Sequence, residues 1–151
     1  MAHQQEVRVR LAGTRDRRAF LEIDPQVGSE LARRDVLDSA IAARMCWIGE
    51  RAGLPAGYGI LSHKFFSREF VELLYVKREE RRKGIGTAIL RAIEETIGGD
   101  RLFTSTNESN MPMRKLLERC GYRPSGKIDN LDPGNSELVF VKFLPKHARA
   151  G

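Results

Sequence analysis

Lys77-Arg-Glu-Glu-Arg-Arg-Lys-Gly-Ile-Gly-Thr-Ala-Ile-Leu90 is where the chain changes from strand to helix. Before it, Phe70-Val-Glu-Leu-Leu-Tyr-Val76 is rich in β-branched and aromatic residues and reads as a strand. After it, Ile89, Leu90, Ile93 and Ile97 recur at helical spacing, which predicts an amphipathic helix beginning near Gly86 or Thr87. Gly84 and Gly86 sit at the join. A strand, a basic glycine-bearing turn and a helix start together make an anion site. The first helical amides have no internal partners, and the helix dipole places roughly half a positive charge there. Glycine lets a phosphate approach the backbone closely. The spacing is neither the G-x-x-x-x-G-K-[ST] of a P-loop nor the G-x-G-x-x-G of a dinucleotide fold. It is Arg81-x-x-Gly84-x-Gly86, five residues after a Leu74-Tyr75-Val76 strand end.

Length and composition bound what surrounds this stretch. A chain of 151 residues is expected to form one domain over 1–151, with its core at about 6–144 and 145–151 a flexible tail. Hydrophobic content of 41% and charged content of 30% are those of an ordinary globular protein. No apolar run approaches the roughly 18 residues of a membrane span, and Met1-Ala-His-Gln-Gln-Glu6 lacks the apolar core of a secretory signal. Cys46 and Cys120 are too few for a disulfide framework or a zinc site. The expectation is a cytoplasmic protein that holds no metal. The net charge of +6 favours an acidic partner, either nucleic acid or a phosphorylated cofactor. Residues 77–83 concentrate it, with five basic and two acidic side chains. Arg8, Arg10, Arg15, Arg17 and Arg18 form a second basic region, broken by acids and read as solvated surface. The aromatic interleaving of single-strand binders is missing, which argues against nucleic acid.

Taken in order, Glu6-Val-Arg-Val-Arg-Leu11 alternates as a first strand. Thr14 is a plausible cap for a short helix through Leu21, which Asp24-Pro25 ends. Ser29 to Arg44 has helical composition. Met45–Glu50 and Tyr58–His63 read as a strand hairpin across a Gly53–Gly57 turn, and a second turn near Ser67-Arg68 leads into strand 70–76. Gly98-Gly99-Asp100 closes the central helix. Leu102–Thr106 is a strand, and a helix follows Asn110, with Pro112 in its first turn. Strands at Tyr122–Lys127 and Glu137–Phe143 flank a turn at Leu131–Asn135. The order predicts an α/β (α+β) fold: one mixed sheet of about six to seven strands with helices on both faces.

The Arg81–Gly86 spacing resembles the acyl-CoA pyrophosphate loop of the GNAT superfamily of N-acetyltransferases, [Q/R]-x-x-G-x-[G/A]. Asn110-(x)10-Gly121-Tyr122 is similar to a second signature of that family, N-(x)10-G-[F/Y]. Together they cover about residues 70–122, and the element order extends the resemblance over nearly the whole chain. The resemblance implies an enzyme that transfers an acetyl group from acetyl-CoA to a primary amine of a small molecule or protein. It implies pantetheine contacts from the backbone of Leu74, Tyr75 and Val76. Pyrophosphate contacts would come from Arg82, Lys83, Gly84, Ile85, Gly86 and Thr87, with Arg81 also a cofactor-binding residue of the loop, and Asn110 would bond the pantetheine arm. The other reading of Asn110 is a plain helix cap.

Attack on a thioester needs a neutral amine, yet with a reference pKa near 10.4 only about one lysine-like amine in a few thousand is neutral at pH 7. A base is therefore useful, as are amide donors for the developing oxyanion; the resemblance puts these where two parallel strands splay beside residues 70–76. Glu72 is the candidate base or amine binder. It is a carboxylate in an otherwise apolar strand, on the face of Leu74 and Val76 at period two. Its alternative is an exposed residue or an ion pair. Tyr75 points the other way, and His63 reads as an edge histidine. Two positions depart from the family pattern. Leu117 stands where many members have a tyrosine proton donor, and Ser105 where some have a glutamate base. These departures keep open a CoA-binding domain without turnover, with a basic nucleic-acid-binding module as a third reading. The acceptor and the oligomeric state, a homodimer among the options, are not legible here.

Overall fold

The computed structural model describes residues 6–145. The predicted tail at 145–151 thus lies, apart from Pro145, outside the described residues. Among the described residues seven strands form one sheet in the order β1-β2-β3-β4-β5-β7-β6. They are β1 (Val7–Leu11), β2 (Cys46–Arg51), β3 (Leu54–Phe65), β4 (Arg68–Val76), β5 (Arg101–Asn107), β6 (Arg123–Asp132) and β7 (Asn135–Phe143). The helices are α1 (Arg17–Ile23), α2 (Gln26–Ser29), α3 (Leu31–Ala42), α4 (Ile85–Glu94) and α5 (Met111–Arg119). Contacts divide the chain into two units, Met1–Leu61 with Leu73–Ile93, and Ser62–Glu72 with Glu94–Gly151.

In the first unit the period of two does the sorting. Cys46, Ile48, Tyr58 and Ile60 pack with Phe20, Ile23, Val27, Leu37 and Ile41 of α1–α3, and Leu73 and Tyr75 join them from β4. On the opposite face, glycines line β2 and β3. A Cβ at Gly59 would lie 2.6 Å from Ile89 Cγ2, and one at Gly57 2.9 Å from the Tyr75 carbonyl. Side chains there would hold α4 away, so Ile85 and Ile89 seat directly on bare backbone. Ile85, Ile89, Leu90 and Ile93 are all fully buried.

In the second unit β5 pairs parallel with β4 at Phe70↔Phe103 and Val71↔Thr104. It pairs antiparallel with β7 along its length, from Arg101↔Phe143 to Asn107↔Glu137. Leu102, Thr104 and Thr106 are buried, while Phe103, Ser105 and Asn107 on the alternate face are half-buried. Phe65 stacks on Phe70 at 4.8 Å between ring centroids and lies 5.4 Å from Phe103. Gly121, at φ +90°, ends α5. The Tyr122 hydroxyl then donates to Glu94 Oε2 at 2.7 Å, and Lys142 Nζ donates to Glu94 Oε1 at 2.9 Å. Burial and that hydrogen bond raise the Tyr122 pKa.

Several boundaries differ from expectation, each for a local reason. The β2–β3 turn is Ala52-Gly53, both at positive φ (56° and 76°), so β3 starts at Leu54 and not after Gly57. Two left-handed residues turn a hairpin with the twist that the strands require. Phe66 and Ser67 do the same before β4. Thr14 is not a cap: Asp16 Oδ2 accepts the Gly13 amide at 2.7 Å, and α1 continues to Ile23. The predicted helix from Ser29 is α3 from Leu31, preceded by the short α2. The central helix starts at Ile85 and ends at Glu94, before Gly98. The Gly98 and Gly99 amides instead donate to Glu69 Oε2 and Oε1, at 3.2 and 2.7 Å.

Candidate active site

The loop between β4 and α4 lies within the first unit. A 3-10 turn, Arg78–Glu80, follows β4, and Lys77 N–H donates to the Ala56 carbonyl at 2.7 Å. Glu80 is the brace. Its Oε2 accepts Arg51 Nε at 2.6 Å and lies 3.8 Å from Lys83 Nζ. The Arg51 guanidinium holds this carboxyl below the usual range, so it stays anionic. Arg81 turns back onto the strand, donating Nε to the Val76 carbonyl at 3.0 Å with its guanidinium over the Tyr75 ring. Among the described residues no carboxylate pairs with Arg82. Arg82 and Gly84 adopt positive φ, 65° and 85°. A Cβ on Gly84 would meet nothing within 4 Å, so the backbone is open to an approaching group. Gly84 carbonyl accepts the Ala88 amide at 3.0 Å, the first hydrogen bond of α4. Ile85 and Gly86 thus lie in a first turn whose amides have no partner four residues back. Exposed cations, open glycine backbone and these amides fit a diphosphate.

In the second unit Asn110 caps α5, its Oδ1 accepting the Met113 amide at 3.2 Å. The cap reading is thus realised, and the side-chain nitrogen is left for another partner. Leu117 is 1% exposed, a core residue of α5. Glu72 is half-buried on β4, and among the described residues no hydrogen bond or ion pair reaches its carboxylate. His63 lies at the end of β3 with Nε2 3.7 Å from Glu69 Oε2, beside a surface depression it shares with Arg68 and Arg101. Among the described residues no group of three or more His, Cys, Asp or Glu is gathered, and no helix is long and apolar enough to cross a membrane.

Two groupings escaped sequence reasoning. Ser105 Oγ donates to Glu137 Oε2 at 2.9 Å, a contact 32 residues apart in the chain. Asp24, fully buried, accepts from Tyr58 Oη at 2.6 Å, Arg33 Nη1 at 2.8 Å and the Gln26 amide at 3.0 Å, pinning the corner between α1, α2 and α3. Burial, then the bond to Asp24, raises the Tyr58 pKa. The only local signal was Asp24-Pro25 as a helix stop; its partners come from distant elements.

Comparison with known proteins gives this geometry a family. A Bacillus cereus ATCC 10987 acetyltransferase of the GNAT family superposes with a TM-score of 0.86 at 28% identity, over 93% of this chain and 99% of that one. Two structures at 17% identity share the fold. The ribosomal-protein-S18-alanine N-acetyltransferase of Escherichia coli has a TM-score of 0.75 over 92% of this chain and 94% of its own. Salmonella typhimurium yncA, described with its cofactor acetyl-CoA, has 0.73 over 94% and 96%. No curated protein matches the chain. The acetyltransferase (GNAT) family model matches residues 16–122, well over half of the chain. The chain therefore belongs to the GNAT acetyltransferase family and is an acetyltransferase.

Proposed function

We propose that this protein is a cytoplasmic single-domain enzyme that acetylates a primary amine, with acetyl-CoA as donor. The stretch Arg81–Thr87 carries the reading: exposed cations and positive-φ Gly84 precede the first-turn amides of α4, where the family signature expects a diphosphate. In this reading Arg82, Lys83 and the amides from Gly84 to Thr87 hold the diphosphate. Arg81 holds the loop to Val76, and the backbone of Leu74, Tyr75 and Val76 lines the pantetheine arm. Asn110 adds its side-chain amide while capping α5. Bound acetyl-CoA supplies the thioester carbonyl. Glu72 takes a proton from the amine nitrogen, directly or through water, so that the nitrogen lone pair can form the new C–N bond. The C–S bond breaks, and the acylated nitrogen gives up its remaining extra proton, which reaches the thiolate through water, because Leu117 cannot relay it. With a thiol pKa near 8.5 that departure needs no strong acid.

The test is thermal unfolding with and without CoA, together with turnover against a panel of amines. CoA should raise the melting temperature, since a ligand that binds only the folded state stabilises it by mass action. Gly84→Val should abolish the shift, because its side chain would fill the open approach and the backbone there has φ +85°. An unchanged shift in the variant would sink the diphosphate assignment. A shift without acetylation of any amine would favour binding without turnover.

A further inference from the structure

The chain carries more basic than acidic side chains, and its sheltered carboxylates are matched accordingly. Asp16, Asp24, Glu50, Glu80, Glu94 and Asp100, all buried or half-buried, each have an arginine or lysine nitrogen within 4.0 Å, and Glu69 has both oxygens filled by the Gly98 and Gly99 amides with His63 alongside. Glu72 and Glu137 are likewise half-buried, yet among the described residues neither has a cation. Both belong to the second unit, on β4 and β7, the two strands that flank β5. Withdrawing a carboxylate from water without a counter-charge is costly, and in so basic a protein a partner would be easy to supply. Glu137 is also held in place. It is registered opposite Asn107, and the Ser105 hydroxyl donates to it at 2.9 Å. One hydroxyl orients a carboxylate but leaves most of its acceptor sites unfilled.

We infer that Glu137, positioned by Ser105, binds a second cationic group of the acceptor, and hence that the acceptor carries one ammonium besides the amine that is acetylated. This rests on the amine-acetylation reading above. The two carboxylates divide the work. The reacting nitrogen must become neutral, which suits Glu72 as proton acceptor. The second nitrogen stays charged and balances Glu137. A monoamine would leave Glu137 unmatched and bind more weakly.

The experiment compares putrescine and cadaverine with butylamine and pentylamine, for wild type, Glu137→Gln and Ser105→Ala. Calorimetry on CoA-saturated protein gives Kd, and steady-state kinetics gives kcat and KM. Glutamine can still accept the Ser105 hydrogen bond, and the CoA-induced melting shift checks that each variant is folded. The wild type should bind the diamines at least about tenfold more tightly than the monoamines, the worth of one charge-assisted contact. Glu137→Gln should weaken diamine binding about 10- to 100-fold through Kd and KM with kcat little changed, and affect the monoamines far less. Ser105→Ala should move diamine KM in the same direction by less. Equal wild-type affinities, or a diamine preference that survives Glu137→Gln, would overturn the inference. Calorimetry separates the two readings: a preference lost in Glu137→Gln without any turnover supports the cation site and removes the transfer reading instead.

Discussion

Glu72 is the side chain on which the proposed chemistry turns, and its isolation is what makes it testable. A half-buried carboxylate that has no cation among the described residues has no ion pair there to lose, so Glu72→Gln should leave the melting temperature and CoA binding nearly intact. Turnover should fall by about 10²–10⁴-fold if the residue removes the amine proton. Wild-type rates across pH 6–9 would return Glu72 to a bystander role. Leu117 makes the opposite case. It is 1% exposed on α5, so Leu117→Ala should cost about 2–5 kcal/mol of stability, measured by chemical denaturation. Turnover per folded molecule should change little; a drop beyond about 10²-fold would mean that this position serves the chemistry. Neither residue's environment could be read from its neighbours in the chain. Alternation along residues 70–76 marked Glu72 as unusual, but whether an arginine reaches it depends on strands that sequence does not align. Glu137 shows the same limit. Its partner Ser105 stands out in the sequence only as a position lacking a carboxylate, while β7 brings one to it from across the sheet.

The seat of α4 on β2 and β3 rests on what is missing from Gly49, Gly57 and Gly59. A methyl at Gly59 would lie 2.6 Å from Ile89 Cγ2 and 3.1 Å from Ile93 Cδ1. Gly59→Ala should therefore destabilise the fold by about 1–3 kcal/mol, the usual cost of overpacking. Adding Ile89→Val should recover little, because Cγ2 remains, whereas Ile89→Ala should relieve the clash and make the pair of changes less than additive. Strictly additive losses in denaturant melts would mean that helix and strand do not touch as described. If the open glycine loop holds a diphosphate, the effect should extend to CoA affinity, since Gly84 accepts the first hydrogen bond of the helix that Ile85 begins. The helix itself is plain in the sequence, because Ile89, Leu90 and Ile93 recur at its period, although Ile97 falls beyond its end. Its start was displaced by one or two residues, since Gly84 at φ +85°, a conformation glycine tolerates, ends the loop. Its end was misjudged for another reason. Gly98 and Gly99 resemble a helix stop, but their amides are committed to Glu69 on β4.

Charge pairing ties the N-terminal segment to the sheet. Arg10 donates to both Asp16 oxygens, at 3.0 and 2.8 Å, and lies 3.3 Å from Glu50. The Arg10 hydrogen bond holds the Asp16 carboxyl below its ordinary value. A depressed pKa stabilises the folded state above the unfolded-state value and loses that stabilisation as pH falls through the folded one. Asp16→Asn should accordingly melt earlier than wild type at neutral pH, with the gap closing below about pH 4; a gap that persists undiminished at acid pH would show that the pair contributes through packing alone. Much of the arrangement was legible beforehand: the mixed sheet, the strand–loop–helix around residues 70–97, the basic turn, and the second signature at Asn110 and Gly121-Tyr122. These depend on periodicity, glycine and local charge, which neighbouring residues alone express. Tertiary structure decided which carboxylates are neutralised and which are left open, which glycines admit α4, and that Asp24 is buried with Tyr58 and Arg33. Those outcomes hang on contacts between residues tens of positions apart, and nothing in a local pattern records which distant side chain a folded strand will meet.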